Sequence, residues 1–217
     1  MDTQIEIIIV DDHALFREGL AFVLAQIKNF SVIGEAGNGI ELLELLKQIK
    51  PQIILMDISM PEMDGIQTTQ LVLSKFPNMR IITLSSYDQE VYYYKMIKAG
   101  VMGFVQKTSG KKELEEAINT VYKGENYFPK ELLRKLIFNV ANRGENHLNI
   151  SQISISKREK EVLQLICQGY SNNEIAENLF ISPKTVDNHR TNLLSKTQTK
   201  NSAHLVMFAI QNKLIEF

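Results

Sequence analysis

The first half of the chain alternates between short apolar runs and longer stretches in which apolar residues recur every three or four positions. The apolar runs predict five strands, and the periodic stretches predict helices near residues 13–27, 38–50, 64–76, 88–99 and 110–123. The predicted strands are Ile5–Val10, Phe30–Ile33, Ile53–Met56, Arg80–Leu84 and Gly103–Gln106. Parallel strands need crossover connections, and the crossover helices cover both faces of the sheet. The pattern therefore predicts an α/β domain over residues 1–123, built on a doubly wound, five-stranded parallel sheet.

Residues 124–155 interrupt this alternation. Pro129 precedes a stretch with helical periodicity, which predicts one amphipathic helix near residues 129–141. The following residues 142–149 are rich in Asn, Gly and charged side chains, as is typical of an exposed connection. We therefore expect residues 124–155 to be a linker.

Residues 156–217 carry clear helix-start signals and no strand pattern. Ser156 and Ser171 each stand three residues before a glutamate, the spacing of a capping box, and Ser182 precedes Pro183. These signals predict a second, smaller, all-α domain with helices near 157–168, 172–179, 183–196 and 201–213. The second and third of these helices are joined by a short turn, so they form a candidate helix-turn-helix.

The composition fits a soluble chain with two modest domains. The 217 residues are 44% hydrophobic and 23% charged, and the single cysteine, Cys167, excludes an internal disulfide framework. No signal-peptide pattern or bilayer-spanning apolar run occurs, so we expect a cytoplasmic protein without a membrane partner. Acidic residues outnumber basic ones in residues 1–123, and the reverse holds in residues 151–217. We therefore expect different partners for the two domains.

Polar side chains stand where several predicted strands end. Asp11 and Asp12, Asp57, Ser85 and Lys107 each follow or close an apolar run. The carboxyl ends of neighbouring parallel strands meet at one crevice, so these residues can form a single acidic site suited to a metal ion and phosphoryl chemistry. An acidic pair alone is more often a solvated loop or a helix cap, but its combination with Asp57 and Lys107 favours a functional site.

Longer motifs in both halves resemble one protein family. Residues 10–13 (VDDH), 55–65 (LMDISMPEMDG), 84–86 (LSS) and 103–107 (GFVQK) resemble a receiver domain. Residues 156–163 (SKREKEVL), 169–176 (GYSNNEIA) and 181–189 (ISPKTVDNH) resemble a LuxR-type DNA-binding domain. Over nearly its full length, the chain is similar to the NarL/FixJ/LuxR-type response regulators of two-component systems.

The resemblance implies a flavodoxin-like receiver in which Asp57 accepts a phosphoryl group from a sensor histidine kinase. It also implies a Mg²⁺ ion held by Asp12, Asp57 and the backbone carbonyl of Ser59, with Asp11 acting mainly through bound water. A carboxylate nucleophile and a hard divalent cation suit this chemistry, because the cation offsets the charge on the transferred group. On this basis we expect no enzymatic activity beyond phosphoryl transfer onto the chain itself and autodephosphorylation.

The resemblance further implies that Lys107 and Ser85 contact the phosphoryl oxygens, and that Phe104 moves together with Ser85 as a switch. The adjacent run Tyr92–Tyr94 falls on the fourth predicted helix, where successive side chains point in different directions. Two interpretations stay open: one core tyrosine with two at the edge of the core, or a dimer contact.

In the second domain, the helix near 183–196 is the recognition candidate. The resemblance implies contacts to base edges from Asp187, Asn188 and Thr191, and contacts nearer the phosphates from Lys184, Thr185, Arg190 and Lys196. It also implies a homodimer that binds two half-sites of double-stranded DNA when active. The chain departs from the family pattern at Asp187, where relatives commonly carry Lys, and at Thr108, where a proline is common.

Two functions from other classes remain possible on the sequence alone. A Mg²⁺-dependent phosphatase also uses paired aspartates at strand ends, but no segment is available to build its substrate cap. Alternatively, the chain binds DNA independently of phosphorylation and uses its first domain only to dimerise. Phosphate-ester turnover would favour the phosphatase, and operator binding that ignores a phosphodonor would favour the second alternative.

Overall fold

A computed structural model describes residues 4–86, 90–129, 132 and 154–215 of the chain. The chain divides into two compact units, Met1–Phe128 and Pro129–Phe217. The predicted helix near 129–141 and most of the predicted linker lie outside the described residues.

The first unit contains a five-stranded parallel sheet, as predicted. Its strands are arranged in the order β2-β1-β3-β4-β5, so the chain winds outward in both directions from β1. The strands are β1 (Ile5–Val10), β2 (Phe30–Ala36), β3 (Ile53–Asp57), β4 (Arg80–Ser85) and β5 (Gly103–Gln106). The fully buried side chains of Ile7, Ile8 and Ile9 on successive positions of β1 show that both faces of the sheet are covered.

A helix follows each strand. The helices are α1 (Ala14–Ala25), α2 (Gly39–Leu45), α3 (Gly65–Lys75), α4 (Glu90–Ala99) and α5 (Lys111–Tyr122). The doubly wound α/β class is therefore confirmed, although α2 ends five residues earlier than the sequence predicts. Strand β2 is three residues longer than predicted, because Gly34–Ala36 continue to pair with β1 after a register shift between Ile7 and Ile8.

The second unit is helical throughout its described part. Its helices are α6 (Lys157–Cys167), α7 (Asn172–Leu179), α8 (Pro183–Thr197) and α9 (Ser202–Gln211). Both predicted capping boxes are present, from Ser156 to Glu159 and from Ser171 to Glu174. A compact apolar core joins the four helices, and its fully buried members are Val162, Leu163, Ile175, Val186, Leu193, Leu205 and Ala209.

Within the described ranges, none of the helices combines the length and the apolar character that a membrane crossing requires.

Candidate functional site

The carboxyl ends of β1 and β3 bring three aspartates together. Asp11 follows β1 and is fully buried, Asp57 is the last residue of β3 and is 2% exposed, and Asp12 lies at the rim. One carboxylate oxygen from each of them lies within 4.8 Å of the others and of a ring nitrogen of His13. The predicted acidic cluster therefore forms, because β1 and β3 are neighbours in the sheet.

Lys107 follows β5 and reaches across the strand ends to these acids. Its ammonium nitrogen lies 2.6 Å from Asp11 Oδ2 and 3.1 Å from Asp57 Oδ1. Burial alone would lower the pKa of Lys107, but its hydrogen bonds and charge attraction to Asp11 and Asp57 outweigh that effect and raise it. Lys107 is therefore a cationic partner of the two buried carboxylates at neutral pH.

The site carries more negative than positive charge. Burial is the largest influence on Asp57 and raises the pKa of its carboxyl group, Lys107 lowers that pKa, and Asp11 raises it further. Three carboxylates face one ammonium group, so a divalent cation would relieve their mutual repulsion. The donors are carboxylate oxygens, which suit Mg²⁺, so the residues present fit the predicted ion.

The backbone of Gly65 packs directly against the backbone carbonyl of Asp57. It starts α3, and its N–H donates to the Ile58 carbonyl at 2.9 Å. A Cβ atom added at Gly65 would lie 2.1 Å from the Asp57 carbonyl oxygen, so no other residue fits without displacing the strand end. The sequence predicts that Gly65 permits a special loop conformation, but its φ is not positive; its role is instead the close approach of two backbone segments.

Arg17 on α1 belongs to the site although the sequence gives no clear signal for it. Its Nη1 donates to the Asp11 carbonyl at 2.5 Å, and its Nε lies 3.4 Å from Glu35 Oε2. The guanidinium thus ties α1 to the ends of β1 and β2 and holds the backbone of Asp11 in place.

Ser85 ends β4 and is buried beside a chain of aromatic rings. Its hydroxyl lies 3.4 Å from the Tyr93 hydroxyl, and the Tyr93 ring meets the Phe104 ring edge-on at 5.1 Å. Phe104 in turn lies 6.0 Å from the Phe128 ring. Tyr93 is therefore the core tyrosine of its run, whereas Tyr92 is 40% exposed and Tyr94 is half-buried.

In the second unit, α7 and α8 form the predicted helix-turn-helix. Asn188 and Thr191 on α8 are exposed, and Lys184 forms an exposed ion pair with Asp187 at 2.8 Å. Thr185 belongs to the helix start, where its N–H donates to the Ser182 hydroxyl. The exposed face of α8 thus presents the amide, hydroxyl, carboxylate and ammonium groups that the family resemblance predicts to contact DNA.

The two remaining basic residues of α8 form hydrogen bonds to other helices of the domain. Arg190 donates to Asn172 Oδ1 and to the Ser202 hydroxyl, which joins α8 to α7 and α9. Lys196 donates to Glu159 Oε2 at 2.7 Å, which joins α8 to α6. The partners are distant in the sequence, so spacing along the helix does not reveal them.

Comparison with known proteins agrees with this geometry in both units. Residues 7–119 match the model of the response regulator receiver domain, and residues 153–209 match that of the luxR family of bacterial regulatory proteins. The chain is a LuxR-type response regulator. It is 38% identical to the oxygen regulatory protein NreC of Staphylococcus aureus over 216 residues, which is 98% of this chain and all of NreC.

Solved response regulators share the fold over most of the chain. The response regulator ChrA of a heme-sensing two-component system is 28% identical, with a TM-score of 0.53 over 98% of this chain and 99% of ChrA. RcsB, solved as two dimers bound to two DNAs, is 25% identical, with a TM-score of 0.57 over 96% of this chain and 99% of RcsB. This response regulator therefore combines a receiver with a DNA-binding domain that regulates transcription, as the sequence predicts.

Proposed function

We propose that Asp57 accepts a phosphoryl group from a sensor histidine kinase and that the modified receiver favours a homodimer with high affinity for its operator. Transfer forms a bond between an Asp57 carboxylate oxygen and phosphorus while the bond from phosphorus to the donor imidazole breaks. The imidazole nitrogen leaves with the electron pair of that bond. The observation that carries this proposal is the burial of Asp57 between Asp11 and the Lys107 ammonium group.

Asp12, Asp57 and the backbone carbonyl of Ser59 would hold Mg²⁺, with Asp11 acting through bound water. The ion supplies positive charge where negative charge grows on the transferred group. Lys107 contacts one phosphoryl oxygen, and the Ser85 hydroxyl donates a hydrogen bond to another. Ser85 then turns away from Tyr93, and Phe104 repacks beside it, which alters the surface formed by α4, β5 and α5.

In the second unit, Asp187, Asn188 and Thr191 face base edges, while Lys184, Thr185, Arg190 and Lys196 lie nearer the phosphates. Exposure of Asn188 and Thr191 supports the first set. In the second set, Lys184 has the most exposed side chain and is the clearest candidate for a phosphate contact. Because this function requires chromosomal DNA and a phosphorylated kinase, we propose a cytoplasmic location and no membrane partner.

The decisive experiment is labelling by a small acyl-phosphate donor in the presence of Mg²⁺. Wild-type protein is expected to gain one phosphoryl group, and Asp57→Asn to gain none, as measured by intact mass. Asp64→Asn is the matched control, because Asp64 caps α3 with its side chain and asparagine caps equally well. Labelling that persists in Asp57→Asn would reject Asp57 as the acceptor.

A further inference from the structure

The chain returns to the sheet immediately after α5. At the end of this helix, the Gly124 N–H donates to the Val121 carbonyl at 2.9 Å, and Gly124 has a φ of 86°. The Glu125 N–H donates to the Thr120 carbonyl at 3.1 Å. This pair of bonds around a left-handed glycine is a Schellman motif, which ends a helix and fixes the direction of the chain that leaves it.

The segment 126–128 then lies beside β5, the strand at one edge of the described sheet. The Tyr127 N–H donates to the Met102 carbonyl and the Phe104 N–H donates to the Tyr127 carbonyl, both at 2.9 Å. Tyr127 thereby forms a parallel bridge to Gly103. The segment thus pairs with backbone groups that an edge strand otherwise leaves open.

The side chains of this segment connect it to two parts of the receiver. Tyr127 packs against the apolar core, whereas the Phe128 ring lies 6.0 Å from the Phe104 ring. Phe104 in turn meets Tyr93, whose hydroxyl lies 3.4 Å from that of Ser85. A row of contacts therefore runs from Ser85, at the candidate phosphoacceptor site, to Phe128, the last residue of the first unit.

Phe104 supplies two of the contacts that hold the segment in place. Its backbone N–H binds the Tyr127 carbonyl, and its ring supports the Phe128 ring. Both Tyr127 and Phe128 are only half-buried. A short segment with two backbone hydrogen bonds and half-buried side chains is among the parts of a protein that open most readily. A shift of Phe104 therefore changes the stability of this segment directly.

We propose that the segment 126–128 is released from β5 when Asp57 is phosphorylated. The inference rests on the proposed function, in which Ser85 turns toward the phosphoryl group and Phe104 repacks beside it. The displaced Phe104 ring no longer supports Phe128, and the Phe104 N–H moves away from its acceptor in the segment. Because both contacts come from one residue, they are lost together.

Release of the segment changes the connection between the two units. Pro129 begins the second unit, so the three released residues add about 10 Å of extended chain to that connection. A longer connection widens the range of positions that a tethered domain can reach. Two DNA-binding domains that must occupy two half-sites at once benefit from this reach, because a tether that is too short prevents simultaneous binding.

Amide hydrogen exchange of the full chain, followed by NMR with and without Mg²⁺ and beryllofluoride, tests the release. The Phe104 and Tyr127 amides are expected to exchange about fivefold faster in the loaded protein, because local opening governs exchange. The Met102 amide is the internal control, because it donates to the Ile81 carbonyl of β4 at 2.8 Å and should not change. Fluorine NMR of bound beryllofluoride measures loading independently.

Phe128→Ala tests the row of rings. This variant is expected to load normally, to exchange about fivefold faster than wild type at Phe104 and Tyr127 before loading, and to show no further rise. Phe22→Ala, which removes an exposed ring on α1, is the matched control and should behave as wild type. A Phe128→Ala protein that exchanges slowly before loading and still shows the full rise would contradict the proposal.

The outcomes in wild-type protein separate the release from the proposed function. Bound beryllofluoride with unchanged or slower exchange at Phe104 and Tyr127 would overturn the release and leave the phosphoacceptor site intact. Failure to bind beryllofluoride, or equal binding by Asp57→Asn, would contradict the proposed site and the release with it.

Discussion

The acidic site of the receiver and the recognition helix of the DNA-binding domain are built in opposite ways. Asp11, Asp57 and Lys107 come from the ends of three strands, are largely buried and hold one another by charge. Asn188 and Thr191 lie on the single helix α8 and are exposed. The receiver site is thus a property of the whole sheet, whereas the DNA-binding face is carried by one helix above an ordinary apolar core. Substitutions should therefore disturb stability and function together in the first region and separately in the second.

The largest effect is expected from Gly65→Ala, which tests whether stability and function are coupled in the receiver site. The added Cβ would meet the Asp57 carbonyl oxygen at 2.1 Å, and a backbone atom cannot turn aside as a side chain can. We expect a loss of about 3 kcal/mol in the free energy of unfolding of the receiver, together with loss of phosphoryl labelling. Urea unfolding and labelling by an acyl-phosphate donor measure the two effects.

Gly19→Ala is the matched control for this substitution. Gly19 lies inside α1, and nothing is within 4 Å of a Cβ added there. Alanine is the better helix former, so this variant should be more stable by about 0.5–1 kcal/mol and should label normally. A Gly65→Ala variant that labels as well as Gly19→Ala would show that the Asp57 strand end tolerates displacement, and that stability and function are not coupled in the receiver site.

Asn188→Ala tests whether function can be changed without stability in the DNA-binding domain. If the Asn188 amide reads a base edge, its loss should cost about 1–3 kcal/mol on an operator selected from random DNA, with unchanged folding. Electrophoretic or fluorescence titration against the operator and against unrelated DNA measures the difference. On unrelated DNA, Asn188→Ala should bind as well as wild type.

Lys184→Gln is the partner experiment to Asn188→Ala. The Lys184 side chain is 78% exposed, so we expect it to contact phosphate rather than a base. Its substitution should weaken operator and unrelated DNA alike and should reduce the salt dependence of binding. Equal losses on both DNAs for Asn188→Ala as well would mean that Asn188 does not read sequence.

The two regions also differ in how far the sequence predicts them. The strand ends that carry Asp57 and Lys107 could be predicted, because apolar runs mark the strands and parallel topology forces their ends together. The helix-turn-helix could be predicted from its capping signals. The engagement of Arg190 with Asn172 and Ser202 could not, because helical spacing gives the face on which a side chain lies but not its partner on another helix.

The same reasoning explains the errors at the edges of elements. Strand β2 continues through Gly34–Ala36, a stretch of low strand propensity, because pairing with β1 outweighs local preference. Gly65 is a second position at which a contact in the folded chain, and not the local sequence, explains the residue. The sequence predicts a special loop conformation there, and only the folded backbone reveals that the glycine is needed for its close approach to Asp57.

The smallest effect is expected from a substitution of Glu159, whose side chain joins α6 to α8. This substitution tests whether buried charges also stabilise the packing of the DNA-binding domain, as they do in the receiver site. Burial alone would raise the pKa of Glu159, but hydrogen bonds from Lys196 and from Ser156 outweigh it and lower that pKa. A carboxyl group whose pKa is lowered in the folded protein stabilises the fold at pH values above its unfolded-state pKa. That stabilisation is lost as the pH falls through the folded-state pKa.

Glu159→Gln keeps the capping box, since glutamine also accepts from the Ser156 N–H, and removes only the charge. Because Lys196 is partly exposed, the variant should be less stable by about 0.5–1 kcal/mol at neutral pH. Hydrogen exchange of buried α6 amides, measured at a series of falling pH values, should show this difference disappear as the Glu159 carboxylate becomes protonated. A difference that persists in acid would mean that the side chain stabilises α6 by shape rather than by charge, and that the DNA-binding domain lacks the charge coupling of the receiver site.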